Sequence, residues 1–576
     1  MSDISLPAFA SPKRLPNLFD IAAMVCFVAL VVAVAGAARH TLAPLSAAEA
    51  TAIHLDPAYL PGYALRTTLR MFAALFCSLV FTFTYATWAA KSRRAALLLI
   101  PVLDILQSVP ILGFLSFTVV FFMNLFPGRV LGAECAAIFA IFTSQAWNMA
   151  FSLYQSLKTV PADLDEASRG FRLSAWQRFW RLEAPFATPG LVWNTMMSMS
   201  GGWFFVVASE AISVGNTTWK LPGIGSYVAT ALDARDMWAV AYAILAMLVV
   251  ILLYDQLLFR PLVAWSAKFR FETTQGAQAE DPWMLRLLRR TRFLRWVGEG
   301  VGQGVDTFTG LRLQFLPAKP AARTQGAKPS RLVDAVFYAL LGVVVLLALR
   351  RIVTFCAATL TLADVGEALL LGVYTMIRVA VLMVLAALVW VPVGVWLGLR
   401  PAWARRVQPV VQFLAAFPAN LFFPIFVVAI VRFHINPEIG LTPLMILGTQ
   451  WYILFNVIAG AAAFPGDLLE SANNFRVGGL LWWRRVILPG IFPYFITGAI
   501  TASGGSWNAA IVAEVASWGD LKLHAHGLGA YIAEATAQGD MPRVVLGVVV
   551  MSGFVVLFNR LLWRPLYAYS SRRLTL

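Results

Sequence analysis

Twelve times along this 576-residue sequence the chain passes through a window of roughly 20 or more residues that is predominantly apolar. A run of that kind fixes the surrounding solvent first. At 1.5 Å per helical residue, about 20 residues cross a hydrocarbon layer of roughly 30 Å. The windows lie near 18–38, 64–90, 95–126, 131–157, 185–212 and 236–260, then near 332–353, 371–398, 406–431, 443–464, 489–514 and 541–563. They predict an all-α polytopic membrane protein of twelve spans. The 95–126 window holds Pro101 and Pro110 and is too long for one straight span, so it is expected to bend or tilt. The polar stretch Met1 to Arg14 precedes an apolar run, Leu18 to Ala38, longer than a signal-peptide core, and that run reads as a retained first span.

Composition agrees: 60% of the residues are hydrophobic and 13% charged, against about 45–50% and 25% in soluble domains. The formal charge of +16 does not point to nucleic acid, because the basic groups sit in loops between apolar windows, where they set membrane orientation. Lys13/Arg14, Lys91/Arg93/Arg94, the 158–181 and 260–331 segments, Arg400/Arg405/Arg406, the 476–485 segment and Arg564/Arg572/Arg573 all fall on one side. The positive-inside rule makes that side, and both termini, cytoplasmic. Arg350 and Arg351 close the seventh span on the opposite side and are an exception to the rule. Cys26, Cys77, Cys135 and Cys356 are far apart, without a CxxC pair, which indicates neither a disulfide framework nor a zinc site but packing.

The sequence repeats itself. Pro101-Val-Leu-Asp-Ile-Leu106-Gln-Ser-Val-Pro110 returns as Pro409-Val-Val-Gln-Phe-Leu414-Ala-Ala-Phe-Pro418, displaced by 308. From Glu166 the displacement is 304: Phe171, Arg172, Pro185, Gly201, Trp203, Glu210, Gly223, Gly225, Tyr227 and Asp236 meet Phe475, Arg476, Pro489, Gly505, Trp507, Glu514, Gly527, Gly529, Tyr531 and Asp540. Each half holds an even number of spans, so the halves lie parallel and the natural pathway is their interface. The expected division is a first half over 1–265 with its core at 64–265, a basic cytoplasmic linker over 266–331, and a second half over 332–576 with its core at 371–570. The linker carries twelve Lys or Arg against five acids. Within it, Arg286, Arg289, Arg292 and Arg295 among Trp283, Leu287, Leu288, Phe293, Leu294 and Trp296 suit either a headgroup boundary or an ordinary basic linker.

Between the fourth and fifth spans, Pro161-Ala-Asp163-Leu-Asp165-Glu166-Ala-Ser-Arg169-Gly-Phe171-Arg172 leads through Trp176, Phe179 and Arg181 to Pro185. Proline in the first turn, acids early and bases late describe an amphipathic helix outside the membrane. Pro465-Gly-Asp467-Leu-Leu-Glu470 through Pro489 repeats the design. The spacing, a Glu-Ala-Ala-like start and a Pro about twenty residues on, resembles the signature (EAA) loop of permeases in binding-protein-dependent ABC importers. The Trp203/Glu210 and Trp507/Glu514 pairs, each followed by G-x-G-x-Y, look most like the nitrate, sulfonate, taurine and bicarbonate group. The resemblance covers roughly 64–265 and 371–570. It implies the type I importer permease (MetI-like) fold, a coupling helix docking on a cytoplasmic ATPase, and an extracytoplasmic solute-binding protein as a further partner. Carried over, Glu166-Ala167-Ser168 and Glu470-Ser471-Ala472 are the docking elements, Phe171, Phe179, Phe475 and Trp483 the apolar contacts, and Pro185 and Pro489 the loop ends. The family's glycine six residues after the glutamate is Arg172 here, and Arg476 in the second half. Arginine does not supply positive φ cheaply, so the turn is expected to be built differently, or the arginine to meet an acid on the partner.

Inside the spans, Gln107, Gln145, Asn148, Trp203, Trp507 and Asn508 are candidates to line a polar passage, or else to hydrogen-bond between helices. Glu210 and Glu514 are intramembrane carboxylates and candidate pathway residues by their cost alone, with a structural partnership as the competing reading. His524-Ala-His526 lacks a third metal ligand, and Gly223-Ile-Gly225 and Gly527-Leu-Gly529 are turns too short for a dinucleotide fingerprint. No lysine follows a glycine, so no phosphate-binding G-K-[ST] loop exists in this chain. ATP and its magnesium therefore belong to a separate polypeptide, and this chain is read as a transport subunit without catalytic residues, cofactor or metal of its own. The implied setting is a bacterial-type inner membrane, the implied ATPase a homodimer, the implied solute a small anion or sulfonate. A secondary transporter and a non-transporting membrane scaffold are the competing classes.

Overall fold

The computed structural model describes residues 53–214, 217–269, 291–311, 331–462, 464, 466–518 and 521–573, with isolated positions between 21 and 36 and at 283–284. The expected first span at 18–38, with Cys26, lies outside the continuously described residues. So do Lys13/Arg14 and the greater part of the 266–331 linker. Packing divides the chain into two bodies. The smaller takes Met1–Arg39, Val160–Pro189 and Tyr254–Lys319; the larger takes His40–Thr159, Gly190–Leu253 and Pro320–Leu576.

The first half runs α1 (Leu60–Lys91), α2 (Arg93–Ser108), α3 (Ile111–Leu125), α4 (Val130–Lys158), α5 (Ala162–Gly170), α6 (Ala184–Glu210), strands β1 (Ala211–Val214) and β2 (Thr217–Lys220), α7 (Ile224–Asp233) and α8 (Met237–Tyr254). The linker contributes α9 (Arg292–Gly310). The second half repeats the order after an extra helix: α10 (Arg331–Ala357), α11 (Leu362–Gly398), α12 (Pro401–Ala416), α13 (Phe423–Arg432), α14 (Gln450–Ala462), α15 (Gly466–Asn474), α16 (Leu488–Ala513), β3 (Val515–Trp518), β4 (Leu521–His524), α17 (Leu528–Gln538) and α18 (Met541–Phe558). The only strands among the described residues form two antiparallel hairpins, β1–β2 and β3–β4.

Among the described residues seven helices are long and apolar enough to cross a bilayer: Pro57–Lys91, Val130–Lys158, Met237–Ser266, Tyr338–Ala357, Leu362–Gly398, Gly479–Ala513 and Met541–Tyr569. Two bent pairs, Ala402–Ala416 with Ala419–Arg432 and Pro437–Met445 with Gln450–Ala462, raise this to nine. The count of twelve is not confirmed among the described residues: the 18–38 window lies outside those continuously described, and other windows break or are less apolar. Pro110 and Pro418 hold the residues before them extended, so the 95–126 and 406–431 windows each break into two helices, the second with an 80° bend. The 443–464 window also breaks, by 45°, which the sequence reading did not anticipate. α6 forms as expected but is less apolar than those seven, because Asn194, Ser198, Ser200 and the glycine pair at 201–202 lie along it. α10 continues to Ala357, so Arg350 and Arg351 lie exposed within its last two turns instead of closing it.

Helices in the larger body meet through small residues, as lipid-embedded helices do when van der Waals packing must replace the hydrophobic effect. Ala74, Ser78 and Thr82 of α1 and Ala133, Ala136, Ala137 and Ala140 of α4 are buried. A Cβ added at Gly498 of α16 would stand 2.6 Å from the Tyr452 carbonyl oxygen of α14, so these two backbones touch. Cys77 is exposed, which removes it from the packing role expected of the cysteines; Cys135 and Cys356 are partly buried, and all three are free thiols.

Candidate functional site: paired loops and a central cavity

Both loops fold alike. In the first, α5 ends where Arg172 adopts φ 53°, with Leu173 N–H donating to the Ser168 carbonyl (3.2 Å) and Arg172 N–H to that of Arg169 (2.9 Å). In the second, Arg476 has φ 52°, Val477 N–H donates to Ala472 (2.9 Å) and Arg476 N–H to Asn473 (2.9 Å). This is the Schellman termination, whose left-handed residue is usually glycine. The expectation of a differently built turn is therefore corrected: the turn is kept and arginine bears the strain, on the order of 1–2 kcal/mol per loop. The reason both halves accept it is the hydrogen-bonded frame, which over-determines the conformation.

The frame also decides which side chains point out. Glu166 and Glu470 are exposed, Ser168 and Ala472 buried, and Phe171 and Phe475 stand 80% and 82% exposed. Phe179, expected as an apolar contact, is instead buried, its ring against Trp180 at 5.0 Å. Trp483 is half-buried and packs toward the core with Trp482. The loops differ in what holds them. Asp165 pairs with Arg169 (2.7 Å) and Arg178 (3.4 Å) in the first, where the second has Leu469, Asn473 and Trp482. Linker helix α9 also ends on the first loop: Trp176 Nε1–H donates to the Phe308 carbonyl (2.7 Å), Gln177 Nε2–H to that of Gly310 (3.0 Å), and the Phe308 ring meets Trp176 and Trp180 edge-on. Neither a headgroup boundary nor an ordinary basic linker anticipates this contact.

Within the larger body, the end of α2, with α3, α4, α6, α14 and α16 and the breaks of the second half, lines a cavity of about 220 Å³. Gln107, Asn148 and Asn508 line it as expected, together with Thr143, Ser144, Ser198, Ser200, Thr449 and Tyr452. No Asp, Glu, Lys or Arg is among the described residues lining it. Gln145, Trp203, Glu210, Trp507 and Glu514 do not line it. Gln145 is buried between α1 and α4, accepting from Ser78 Oγ at 3.3 Å, and Trp203 and Trp507 are fully buried in helix packing.

Glu210 and Glu514 belong to two charge clusters that the sequence reading did not assemble. Arg70 donates twice to Glu134 (2.6 and 2.7 Å) and once to Glu210 (2.7 Å), all three buried. Arg378 pairs with Glu438 and, at 3.0 Å, with Glu514. Thr67 and Thr375 accept from the amides of Ile224 and Leu528. The other oxygen of each glutamate accepts from the Gly-x-Gly turn: Gly225 N–H at 2.7 Å for Glu210, Ala530 N–H at 3.1 Å for Glu514. The clusters thus fasten the start of α7 and of α17 to the ends of α6 and α16. The signal was present: Thr67 and Arg70 recur as Thr375 and Arg378 at 308, Glu134 as Glu438 at 304. His526 also donates its backbone amide to Glu438, and His524 pairs with Glu534; among the described residues no three His, Cys, Asp or Glu are arranged to hold a metal.

The turn leaves no room for a side chain. A Cβ at Gly225 would lie 2.2 Å from the Val207 carbonyl oxygen and one at Gly529 2.4 Å from that of Ala510, in both cases rigid helix backbone. Gly225→Ala is expected to cost about 2–4 kcal/mol through overpacking and loss of the Glu210 bond, read as a lowered unfolding midpoint of the purified protein; an unchanged midpoint would contradict the close approach.

A family model, binding-protein-dependent transport system inner membrane component, matches residues 78–259 and again 390–575. The bicarbonate transport system permease protein CmpB of Synechococcus elongatus is 30% identical over 183 residues, 32% of this chain and 63% of that protein. The nitrate import permease protein NrtB of Leptolyngbya laminosa is 27% identical over 184 residues, covering 32% and 62%. The glycine betaine/proline betaine permease protein ProW of Escherichia coli is 28% identical over 185 residues, covering 32% and 48%. The matched stretch spans under two thirds of each relative's own length.

Proposed function

The chain belongs to the family of binding-protein-dependent transport system inner membrane components, and from that premise we propose that it forms the whole passage of an ATP-driven importer, with the drive arriving through its two loops. The observation that carries this reading is the matched pair of loop ends: one Schellman frame, one exposed glutamate and one exposed phenylalanine in each half. An exposed aromatic on a rigid turn is an anchor for a partner pocket. The partner is a cytoplasmic ABC ATPase, a homodimer whose two copies each take one loop; a solute-binding protein delivers from the opposite face. Both termini are cytoplasmic, the membrane is the inner membrane, and the halves divide as 1–265 and 332–576 about the 266–331 linker.

The solute is a small anion or sulfonate-like molecule. Neutral amides and hydroxyls line the cavity without a carboxylate to repel an anion or a fixed cation to trap it, and passage requires a site weak enough to leave. A secondary transporter would call for a coupling-ion site at mid-membrane, for which this lining supplies no carboxylate.

Charge reversal at both loops, Glu166→Lys with Glu470→Lys, is expected to abolish co-purification of the ATPase while the permease elutes unchanged by size exclusion; Phe171→Asp with Phe475→Asp should do the same. Co-purification retained in both double variants would remove the docking role from these loops.

A further inference from the structure

Three of the membrane-crossing helices, Leu362–Gly398, Gly479–Ala513 and Met541–Tyr569, leave a groove of about 560 Å³ between them. Ligand sites run to about 300–1,000 Å³. Its walls come from α11 between Val384 and Pro392, from the stretch Trp483 to Phe495, and from Tyr569. The Phe492 ring meets that of Tyr569 edge-on at 6.4 Å, which joins the third helix to the second. Small side chains leave the space open. Val391, Pro392 and Pro489 carry little bulk, whereas the first half has Phe83 at the place of Val391 and Trp180 at the place of Arg484.

Depth and charge say what covers this groove. Its outer rim faces lipid, because Val384 and Leu388 are exposed on a helix long and apolar enough to cross a bilayer. Arg484 and Phe495 stand eleven residues apart, roughly 15 Å at about 1.5 Å per residue. That is half of a hydrocarbon layer of roughly 30 Å, the depth of one leaflet. At the loop end, Arg484 is the one charged residue among the described lining. It is exposed, no carboxylate among the described residues pairs with it, and its neighbour Arg485 is exposed as well. An apolar slot one leaflet deep, with an uncompensated guanidinium at its mouth, fits an acyl chain beneath a negatively charged headgroup. A zwitterionic headgroup would bring its own cation to that place.

We propose that the groove is a binding site for one anionic phospholipid, with an acyl chain between α11 and α16 and the headgroup phosphate on Arg484. It differs from ordinary lipid contact in being saturable and selective for headgroup charge. Trp483, Arg484 and Leu488 form the joint between the second loop and α16, so the lipid stands against the segment through which that loop continues into the membrane. The proposal requires only that the chain spans a bilayer, and is independent of the solute and of the source of drive.

Native mass spectrometry of the full chain tests it, with the protein delipidated in detergent and titrated with phosphatidylglycerol, phosphatidylcholine of the same acyl chains, or glycerol 3-phosphate. The unaltered protein is expected to retain one phosphatidylglycerol at a lower concentration than it retains phosphatidylcholine. Arg484→Gln should weaken phosphatidylglycerol about fivefold, the worth of one basic residue near an anionic surface, and abolish the preference, while Arg485→Gln leaves both unchanged. Val391→Phe, which installs the bulk of the first half, should weaken both lipids and keep the preference. Equal retention of the two lipids by the unaltered protein overturns the proposal. So does an equal loss in Arg484→Gln and Arg485→Gln, which would mean diffuse surface charge, or glycerol 3-phosphate binding as tightly as the lipid, which would mean a phosphate site without an acyl slot.

Discussion

Replacing Arg70 with leucine will leave little folded protein. The guanidinium is buried between Glu134 and Glu210, and its removal strands two buried carboxylates. Breaking a buried ion pair by deleting one partner costs about 3–5 kcal/mol, of the order of a domain's entire net stability. The loss is also expected to loosen the Gly223-Ile-Gly225 turn, because Arg70 fixes the glutamate whose other oxygen accepts from the Gly225 amide. Arg378→Leu in the second half is expected to be milder, since Glu438 is 35% exposed and water can take over part of its solvation. Fluorescence-detected size exclusion and thermal unfolding of the two variants measure the difference. Adding Glu134→Gln and Glu210→Gln to Arg70→Leu should restore part of the stability, as removal of both partners is far cheaper than removal of one. Equal tolerance of Arg70→Leu and Arg378→Leu would show that the clusters do not hold the turns.

That cluster also shows what the sequence could and could not reveal. Spans, repeat and loops were legible because each writes itself in local pattern: long apolar windows, a fixed displacement, a proline–acid–base order. Glu210 was visible as a costly charge, but its partner Arg70 stands near the start of another apolar window, 140 residues away, and nothing local pairs them. Only the joint recurrence of Thr67, Arg70 and Glu134 at 375, 378 and 438 carried that information. The cavity was half legible for a related reason. Gln107, Asn148 and Asn508 face it, whereas Trp203 and Gln145 on the same kinds of helix face a neighbouring helix, and composition cannot tell the two faces apart. The strained arginines were misjudged because propensity prices a residue alone, while the two capping hydrogen bonds around Arg172 and Arg476 price it in its frame.

The two loops are braced unequally. Their Schellman ends match, yet the first is braced by Asp165 and by the end of α9, while the equivalent face of the second bears Leu480 and Leu481, exposed. A symmetric ATPase dimer would therefore find one stiff and one bare loop, with identical anchors at Phe171 and Phe475.

The central claim is that ATP hydrolysis on a separate subunit drives solute through this chain. Uptake into vesicles reconstituted with the permease, its ATPase and its binding protein tests it most directly. Accumulation should require all three proteins and ATP, fall to background when ATP is omitted, and be indifferent to collapse of proton and sodium gradients. Accumulation driven by an ion gradient alone, in the absence of ATP, would contradict it.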